Sequence, residues 1–125
     1  MSVNTIRNAK YMALETFRKN GQGVNTPIWL VSEGNKLYAC TESTTWKVKR
    51  IRNNSRVRIC QSDWRGTPLG EWIEAQARIL DDPEVLKKVE RLLAAKYRLT
   101  FWGFYWYAKL RRAKNVIIEI SVPKA

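Results

Sequence analysis

Short stretches of alternating or β-branched hydrophobic residues dominate the first two thirds of the chain and predict a series of β-strands. Turns rich in glycine, asparagine and proline separate these stretches, as in a sheet of short antiparallel strands. Pro27 cannot donate to a β-ladder, so we expect the second strand at a sheet edge or at a bulge. The predicted strands, including one near the C-terminus, cover residues 11–18, 24–32, 36–41, 56–61, 71–80 and 115–122.

Three other stretches have the hydrophobic spacing and the end signals of helices. The first is a short basic helix over residues 46–53, preceded by hydroxyl side chains that are common N-caps. The second begins after Asp82, a capping residue, with Pro83 at the first helical position. The aromatic segment at residues 100–110 predicts a third helix.

The predicted order of elements is therefore β-β-β-α-β-β-α-α-β, in one domain that spans residues 1–125. Closely spaced antiparallel strands with few helices favour a small closed or half-closed barrel over a parallel doubly wound sheet. The fold class is mainly β with helices (α+β), and we predict a six-stranded antiparallel barrel.

Composition excludes several classes of protein. The 125 residues include no histidine, which removes histidine-based catalytic triads and histidine-ligated metal sites. Cys40 and Cys60 form no CxxC pair, so we expect no disulfide framework and predict no metal site. No apolar run approaches the ~18 residues of a membrane span, and the N-terminus does not resemble a signal peptide. We therefore expect a cytoplasmic protein without a membrane partner.

The formal net charge of +12 is concentrated in two segments. Residues 43–62 and 91–118 together contain 13 of the 23 basic residues and no acidic residue, whereas the rest of the chain is nearly neutral. Such segments indicate an anionic partner: nucleic acid, an acidic membrane surface or a phosphorylated small molecule. The alternative is that the charge serves solubility alone.

The start of the predicted basic helix is a candidate anion site. A strand ends at Thr41, the hydroxyl-rich turn of Thr44 and Thr45 follows, and Lys47 lies in the first helical turn. Free backbone N–H groups, the helix dipole and the ammonium group would converge there, which suits a phosphate. Lysine opposes the dipole at this position unless an anion is bound. The alternative is a solvated basic helix capped by Thr45.

Sequence motifs for catalysis by side chains are missing. The segment Gly21-Gln22-Gly23 lacks the third glycine of a dinucleotide-binding motif and lies in a predicted hairpin. The chain has neither a phosphate-binding P-loop nor a nucleophile elbow, and its 11 acidic residues form no carboxylate pair at useful spacing. Any catalysis would therefore depend on a bound cofactor, and we predict no catalytic side chain.

Several runs of the sequence resemble the pyridoxamine 5'-phosphate oxidase-like split-barrel flavoproteins. Within them the chain is most similar to the oxidoreductases that depend on the deazaflavin coenzyme F420. Residues 47–57 (KVKRIRNNSRV) carry the most specific match, although Trp46 stands where oxidases of the flavin branch have arginine. The other matching runs are 16–21 (TFRKNG), 26–29 (TPIW), 37–41 (LYACT) and, more loosely, 96–97 and 116–120.

The resemblance implies a split barrel of the FMN-binding type that forms a homodimer, with the cofactor site between subunits. It implies that Lys47, Thr45 and the turn after Thr41 hold the cofactor phosphate, and that the backbone of residues 26–29 lies along the rings. The aromatic segment 102–107 could cover the pocket of the other subunit, although core packing explains it equally well. The candidate cofactor-binding residues are Thr26, Pro27, Ile28, Trp29, Thr41, Thr44, Thr45, Trp46, Lys47 and Arg50.

The favoured hypothesis is an oxidoreductase that transfers a hydride from F420 or FMN to a small unsaturated substrate. F420 is favoured over FMN because its tail of glutamates would require a field of basic residues. Such residues follow Lys47 on the helix and recur in the second basic segment: Lys49, Arg50, Arg52, Arg111 and Arg112. The alternative hypothesis is a basic nucleic-acid-binding β-barrel without catalysis, for which six tryptophans and five tyrosines offer stacking groups.

Overall fold

The computed structural model describes residues 6–100, 102–103, 105 and 114–122. Within these ranges seven strands and two longer helices alternate in the order β-β-β-β-α-β-β-α-β. The strands are β1 (Tyr11–Phe17), β2 (Gly23–Ile28), β3 (Val31–Glu33), β4 (Lys36–Glu42), β5 (Arg56–Ser62), β6 (Ile73–Leu80) and β7 (Asn115–Ser121). The helices are α1 (Trp46–Asn53) and α2 (Pro83–Tyr97).

All seven strands belong to one antiparallel sheet with the order β2-β1-β5-β6-β7-β4-β3. The two end strands, β2 and β3, do not pair with each other within the described part of the chain, so the sheet is not closed. The fold is mainly β with helices, as predicted. The prediction of a six-stranded barrel is wrong in its strand count and in the order of elements.

The additional strand arises because the predicted strand 24–32 is divided at Trp29 and Leu30. Its first part pairs with β1 and its last part pairs with β4, at opposite ends of the sheet order. Between the two parts, the Leu30 N–H donates to the Tyr97 hydroxyl at 3.0 Å, and the Leu30 carbonyl accepts from Lys96 Nζ at 2.8 Å. Side chains of α2 therefore satisfy the backbone where the ladder is interrupted.

Local turn signals are confirmed where the backbone requires glycine. Gly21 adopts φ +90° in the turn between β1 and β2, and Gly34 adopts φ +62° in the turn between β3 and β4. Pro27 lies on the edge strand β2, as expected for a residue without an N–H group. In the predicted helix 100–110, residues 100, 102, 103 and 105 are helical, and the others lie outside the described residues.

The core consists of two hydrophobic clusters on the two faces of the sheet. β7 lies between β6 and β4 and has five consecutive buried residues, because both of its faces are covered. The first cluster includes Met12, Leu14, Ile59, Ile118 and Ile120, together with Ile51 of α1. The second lies under α2 and consists of Val31, Val89, Leu93, Tyr97 and Ile117.

Both long helices begin where the sequence predicts. Asp82 caps α2, since its Oδ1 accepts from the Glu84 N–H at 2.9 Å, and Pro83 follows at the first helical position. α1 follows β4 in the chain. It buries Val48 and Ile51 and packs on β1 and β6. No helix in the described ranges is long and apolar enough to cross a membrane.

A row of polar side chains crosses β4, β7 and β6 on the face of the sheet that α2 partly covers. The Glu119 side chain is 6% exposed and accepts from Arg78 Nε at 2.6 Å, the Tyr38 hydroxyl at 3.1 Å and Lys36 Nζ at 3.3 Å. Burial alone would raise the pKa of Glu119, but the hydrogen bonds from Arg78, Lys36 and Tyr38 outweigh it, and the pKa is lowered. The ionised carboxylate therefore joins three strands.

We predict that Glu119→Gln lowers the free energy of unfolding at neutral pH by about 2 kcal/mol. This value lies within the range of ~1.5–3 kcal/mol for hydrogen bonds to a charged group. The folded pKa of Glu119 lies below the unfolded value of ~4.3, so its contribution is fully present above that value. The contribution is lost as the pH falls through the folded pKa. Urea unfolding as a function of pH should therefore show the two proteins converging in acid.

Glu74→Gln is the matched control, because Glu74 also forms an ion pair, with Arg56, but at an exposed position. Exposed pairs contribute little, so this variant should unfold close to the wild type. A difference between Glu119→Gln and the wild type that stays constant down to the lowest pH would contradict the assignment.

Candidate functional site

A cavity of about 380 Å³ opens beside the end of β2, the end of β4, the start of α1 and one side of α2. This volume lies in the range of ~300–1,000 Å³ that is typical of small-molecule sites. Six of the ten predicted cofactor-binding residues line it: Pro27, Ile28, Trp29, Thr41, Thr45 and Lys47.

An aromatic wall forms one side of the cavity. Trp29 stacks on Tyr97, with ring centroids 4.7 Å apart and planes inclined by 11°. The Tyr97 hydroxyl accepts from the Leu30 N–H and donates to the Lys10 carbonyl at 2.8 Å, which fixes the ring that supports Trp29. Burial raises the pKa of Tyr97 to about 12, so this hydroxyl keeps its proton at neutral pH.

The loop between β5 and β6 holds the edge of this wall. Asp63 Oδ1 accepts from the backbone N–H groups of Arg65 and Thr67, at 2.8 and 3.0 Å. Gly66 adopts φ +88° against Pro27, where an added Cβ would lie 3.2 Å from Pro27 Cδ. The loop therefore places Trp64, which also lines the cavity, beside the end of β2.

The start of α1 forms the polar end of the cavity. Thr45 is the N-cap residue, as predicted, but its hydroxyl forms no cap and instead donates to the Glu42 carbonyl at 3.0 Å. The prediction of a hydroxyl cap is therefore wrong. Thr45 therefore provides no side-chain acceptor for the backbone N–H groups of the first turn, which have no partner within the helix. They are available to an anion.

Lys47 lies in this first turn and lines the cavity. Its side chain does not point outward into solvent, as a lysine of a solvated helix would, but is partly buried. Burial lowers the pKa of Lys47, the nearby Arg50 lowers it further, and Glu42 opposes the shift. An anion at this point would offset both the cost of burying the ammonium group and its repulsion by Arg50.

Four predicted site residues do not line the cavity. Arg50 turns toward β1, where its Nε donates to Thr16 Oγ1 at 2.8 Å. Thr44 is exposed, and Trp46 is 69% exposed with Lys49 Nζ 4.4 Å from its ring centroid. The Thr26 hydroxyl is buried and has no hydrogen-bond partner in the part of the chain that the structure describes. Thr26 precedes the lining residue Pro27 but does not itself line the cavity.

Sequence reasoning missed several lining residues because they come from distant elements. Strand alternation places Cys40 and Glu42 on the face of β4 away from Ala39, and helical spacing places Glu90 beside Leu93. The sequence shows each of these two periodicities. It does not show that β4 and α2 contribute residues to the same cavity. The missed lining residues are Tyr11, Cys40, Glu42, Trp64, Glu90, Leu93, Tyr105 and Asn115.

Two of these residues, Cys40 and Asn115, affect the chemistry that the site can support. Burial, with the nearby charge of Glu90, raises the pKa of Cys40 to about 12, so its thiol stays protonated at neutral pH. A protonated thiol is a poor nucleophile. Asn115 Oδ1 is buried and has no hydrogen-bond partner among the described residues. A bound molecule with a donor group would satisfy it.

The fold is an open antiparallel sheet, with a cavity between an aromatic wall and a cationic helix start. The sequence profile described as pyridoxamine 5'-phosphate oxidase matches residues 3–124. The chain therefore belongs to the pyridoxamine 5'-phosphate oxidase family, as its sequence motifs predicted. A comparison with curated proteins finds no match.

Solved structures with the same fold have low sequence identity to the chain. A conserved hypothetical protein from Mycobacterium tuberculosis has a TM-score of 0.71 at 21% identity, over 99% of this chain and 82% of that one. An F420 reductase has a TM-score of 0.63 at 18% identity, over 97% and 93%. The heme storage protein HutZ from Vibrio cholerae has a TM-score of 0.73 at 11% identity, over 98% and 89%. These likenesses establish the fold.

Proposed function

We propose that the protein is an oxidoreductase that uses the deazaflavin F420 or FMN to reduce a small unsaturated substrate by two-electron hydride transfer. One observation carries this proposal: a single cavity joins an aromatic wall to a lysine at an uncapped helix start. A ring cofactor with a phosphate needs both features, a flat apolar surface for the rings and a cationic anchor for the phosphate.

The residues present fit such a group. Lys47 and the first-turn N–H groups of α1 would hold the phosphate, because the lysine is partly buried and the N–H groups have no side-chain cap. The rings would lie against Pro27, Ile28 and Trp29, with Leu93 of α2 also in the lining. The buried Asn115 Oδ1 would accept from a polar edge of the bound molecule.

The side chains of this site bind and orient the reacting molecules. A bound F420 or FMN supplies the hydride-transfer chemistry that protein side chains lack. Trp29, held by Tyr97, fixes the plane of the wall, and the α1 end fixes the position of the phosphate. Cys40 stays protonated. The site therefore acts by positioning, without a catalytic side chain, and the substrate would occupy the remaining part of the cavity.

F420 is the favoured cofactor, and two observations support that choice. An F420 reductase is among the proteins that share the fold. Lys49 and Arg52 are exposed on α1 next to the anchoring turn, where a tail of glutamates would leave the cavity. FMN, which ends in a single phosphate, would use Lys47 and leave these charges without a role.

Titration of the purified protein with F420 and with FMN, followed by cofactor fluorescence, tests the proposal. We expect saturable binding of at least one cofactor, and oxidation of its reduced form when an unsaturated substrate such as an enone is added. Absence of saturable binding of both cofactors would overturn the proposal.

The proposal includes a homodimer, with the cofactor cavity completed by the second subunit. Trp64 is 64% exposed although it lines the cavity, and a dimer interface at the cavity would cover an apolar group of this kind. Light scattering at micromolar protein concentration should therefore give a mass about twice the 14.6 kDa of one chain. A mass close to 14.6 kDa at every concentration would contradict the shared cavity.

Two exposed tryptophans favour nucleic-acid binding as a second candidate function. Lys49 Nζ lies 4.4 Å from the ring centroid of Trp46, and Arg65 Cζ lies 4.9 Å from that of Trp64. Stacking platforms of single-strand-binding proteins combine such rings with cations. Titration with a labelled single-stranded oligonucleotide tests this candidate. Weak binding that Trp46→Ala leaves unchanged would dismiss it.

A further inference from the structure

A second cavity, of about 280 Å³, lies between the C-terminal end of α2 and the segment that precedes β1. None of its lining residues lines the first cavity, although Tyr97 stacks on Trp29 of that cavity. We call it the basic pocket. Its lining consists of Asn8, Lys10, Lys96, Tyr97, Arg98 and Thr100.

Among the described residues, three cations and no acid line the basic pocket. Within the described part of the chain, no acidic side chain forms an ion pair with Lys10, Lys96 or Arg98. Three like charges around one cavity raise the positive potential there, which attracts an anion. The basic pocket therefore has the charge pattern of an anion site.

Lys96 is held with its ammonium group in a fixed place. Its Nζ donates to the Ala9 carbonyl at 2.7 Å and to the Leu30 carbonyl at 2.8 Å. An ammonium group has three donors, so one remains for a ligand. Burial lowers the pKa of Lys96, and a bound anion would offset this cost by favouring the charged form.

Arg98 has an unfavourable backbone conformation at the end of α2. Its φ of 54° and ψ of −121° make it the one non-glycine residue with positive φ in the described ranges. Glycine usually occupies such positions after a helix, because a Cβ is strained there. The helix dipole favours cations at this end and so accounts for Lys96. It does not account for a strained arginine or for Lys10, which comes from a different segment.

We propose that the basic pocket binds the oxyanion group of a small molecule, a phosphate or a carboxylate. Lys10, Lys96 and Arg98 supply the charge, and the Thr100 hydroxyl supplies a further donor. Arginine suits this role because its planar fork binds both kinds of oxyanion through two hydrogen bonds. The proposal is independent of the cofactor site, because no described residue lines both cavities.

Titration of the isotopically labelled protein with inorganic phosphate and, separately, with succinate tests the proposal by two-dimensional NMR. Sodium chloride at matched ionic strength serves as the reference. We expect saturable shifts of the amides of residues 97–100 with at least one oxyanion, and the responding probe identifies the chemical class. Phosphate bound at the start of α1 would instead shift residues 45–48. Saturable shifts confined to residues 45–48, or none with either probe, would overturn the proposal.

Two variants distinguish a loss of binding caused by removal of a positive charge from one caused by misfolding. Lys10→Ala and Arg98→Gly should each weaken binding by about tenfold, as expected for the loss of a charge-assisted hydrogen bond. Arg98→Gly should also raise the Tm by a few degrees because glycine accepts positive φ, so its loss of binding cannot be misfolding. Lys87→Ala, which removes an exposed cation from the same helix, is the control. Equal affinities in the wild type and both pocket variants would overturn the proposal.

Discussion

Lys47→Ala should weaken binding of the cofactor about 10- to 150-fold, which corresponds to the ~1.5–3 kcal/mol of a hydrogen bond to a charged group. The effect should be large because Lys47 is partly buried in the cavity lining, where its ammonium group meets less screening than at an exposed position. The backbone N–H groups at the start of α1 would remain, so binding should be weakened and not abolished. Fluorescence titration with FMN, and with F420 from which the glutamates have been removed, measures the change.

Lys49→Ala is the matched control for this prediction. Lys49 lies on the same helix but is exposed and stands over the ring of Trp46, outside the cavity lining. Lys36 would be a poor control because its Nζ is bonded to Glu119, so its loss would disturb the sheet. Equal affinities of Lys47→Ala and Lys49→Ala for the shortened cofactors would contradict the assignment of the phosphate anchor.

The pH dependence of binding offers a second measurement on the same residue. In the free protein, burial and then the charge of Arg50 lower the pKa of Lys47. The cation therefore loses its proton at a lower pH than an ordinary lysine, and affinity should decline as the pH rises into that range. The decline should be absent from Lys47→Ala.

The sequence predicted most strands and both long helices because their signals are local. The Asp82 cap, the glycines at residues 21 and 34 and the alternation within β4 each depend on neighbours in the chain. The break at Leu30 could not be predicted in this way. It depends on Tyr97, 67 residues away, whose hydroxyl takes the place of a strand neighbour.

The residues of the candidate site likewise fall into two groups, those predicted from the sequence and those whose position depends on distant elements. Residues 27–29, Thr41 and Lys47 belong to runs that the family resemblance covers, Thr45 lies between two of these runs, and all of them line one cavity. Arg50 was misplaced because its partner, Thr16, comes from β1, and spacing on a helix does not reveal which strand the helix packs on. Glu90 and Asn115 were missed for the same reason, since each reaches the cavity from an element remote in sequence.

The basic surface near the cavity differs from the one that the sequence suggested. Arg50 is engaged with Thr16, and residues 111 and 112 lie outside the described residues. Lys49 and Arg52 therefore remain as the exposed cations of α1 that a tail of glutamates could meet. Contacts between these cations and the glutamates depend on the electrostatic potential at the protein surface and not on a pocket that encloses the tail.

Affinity for F420 with its glutamate tail should therefore fall steeply with salt, whereas affinity for the form without glutamates should change little. The Debye length shrinks from ~30 Å at ~0.01 M salt to ~3 Å at ~1 M salt, so attraction between the exposed cations and the carboxylates is screened over this range. The phosphate contact at the partly buried Lys47 is screened less. One fluorescence titration series with both forms at several salt concentrations measures the difference.

A double variant, Lys49→Gln with Arg52→Gln, should reduce the salt dependence of the tailed form toward that of the form without glutamates. Each exposed contact is worth only ~0.2–1 kcal/mol, so the loss of affinity at low salt should be several-fold. Lys19→Gln with Lys87→Gln removes the same charge at exposed positions outside α1 and is the control, because net charge alone would act equally in both double variants. Equal salt dependence of the two cofactor forms, or tighter binding of FMN than of F420 at every salt concentration, would decide against F420.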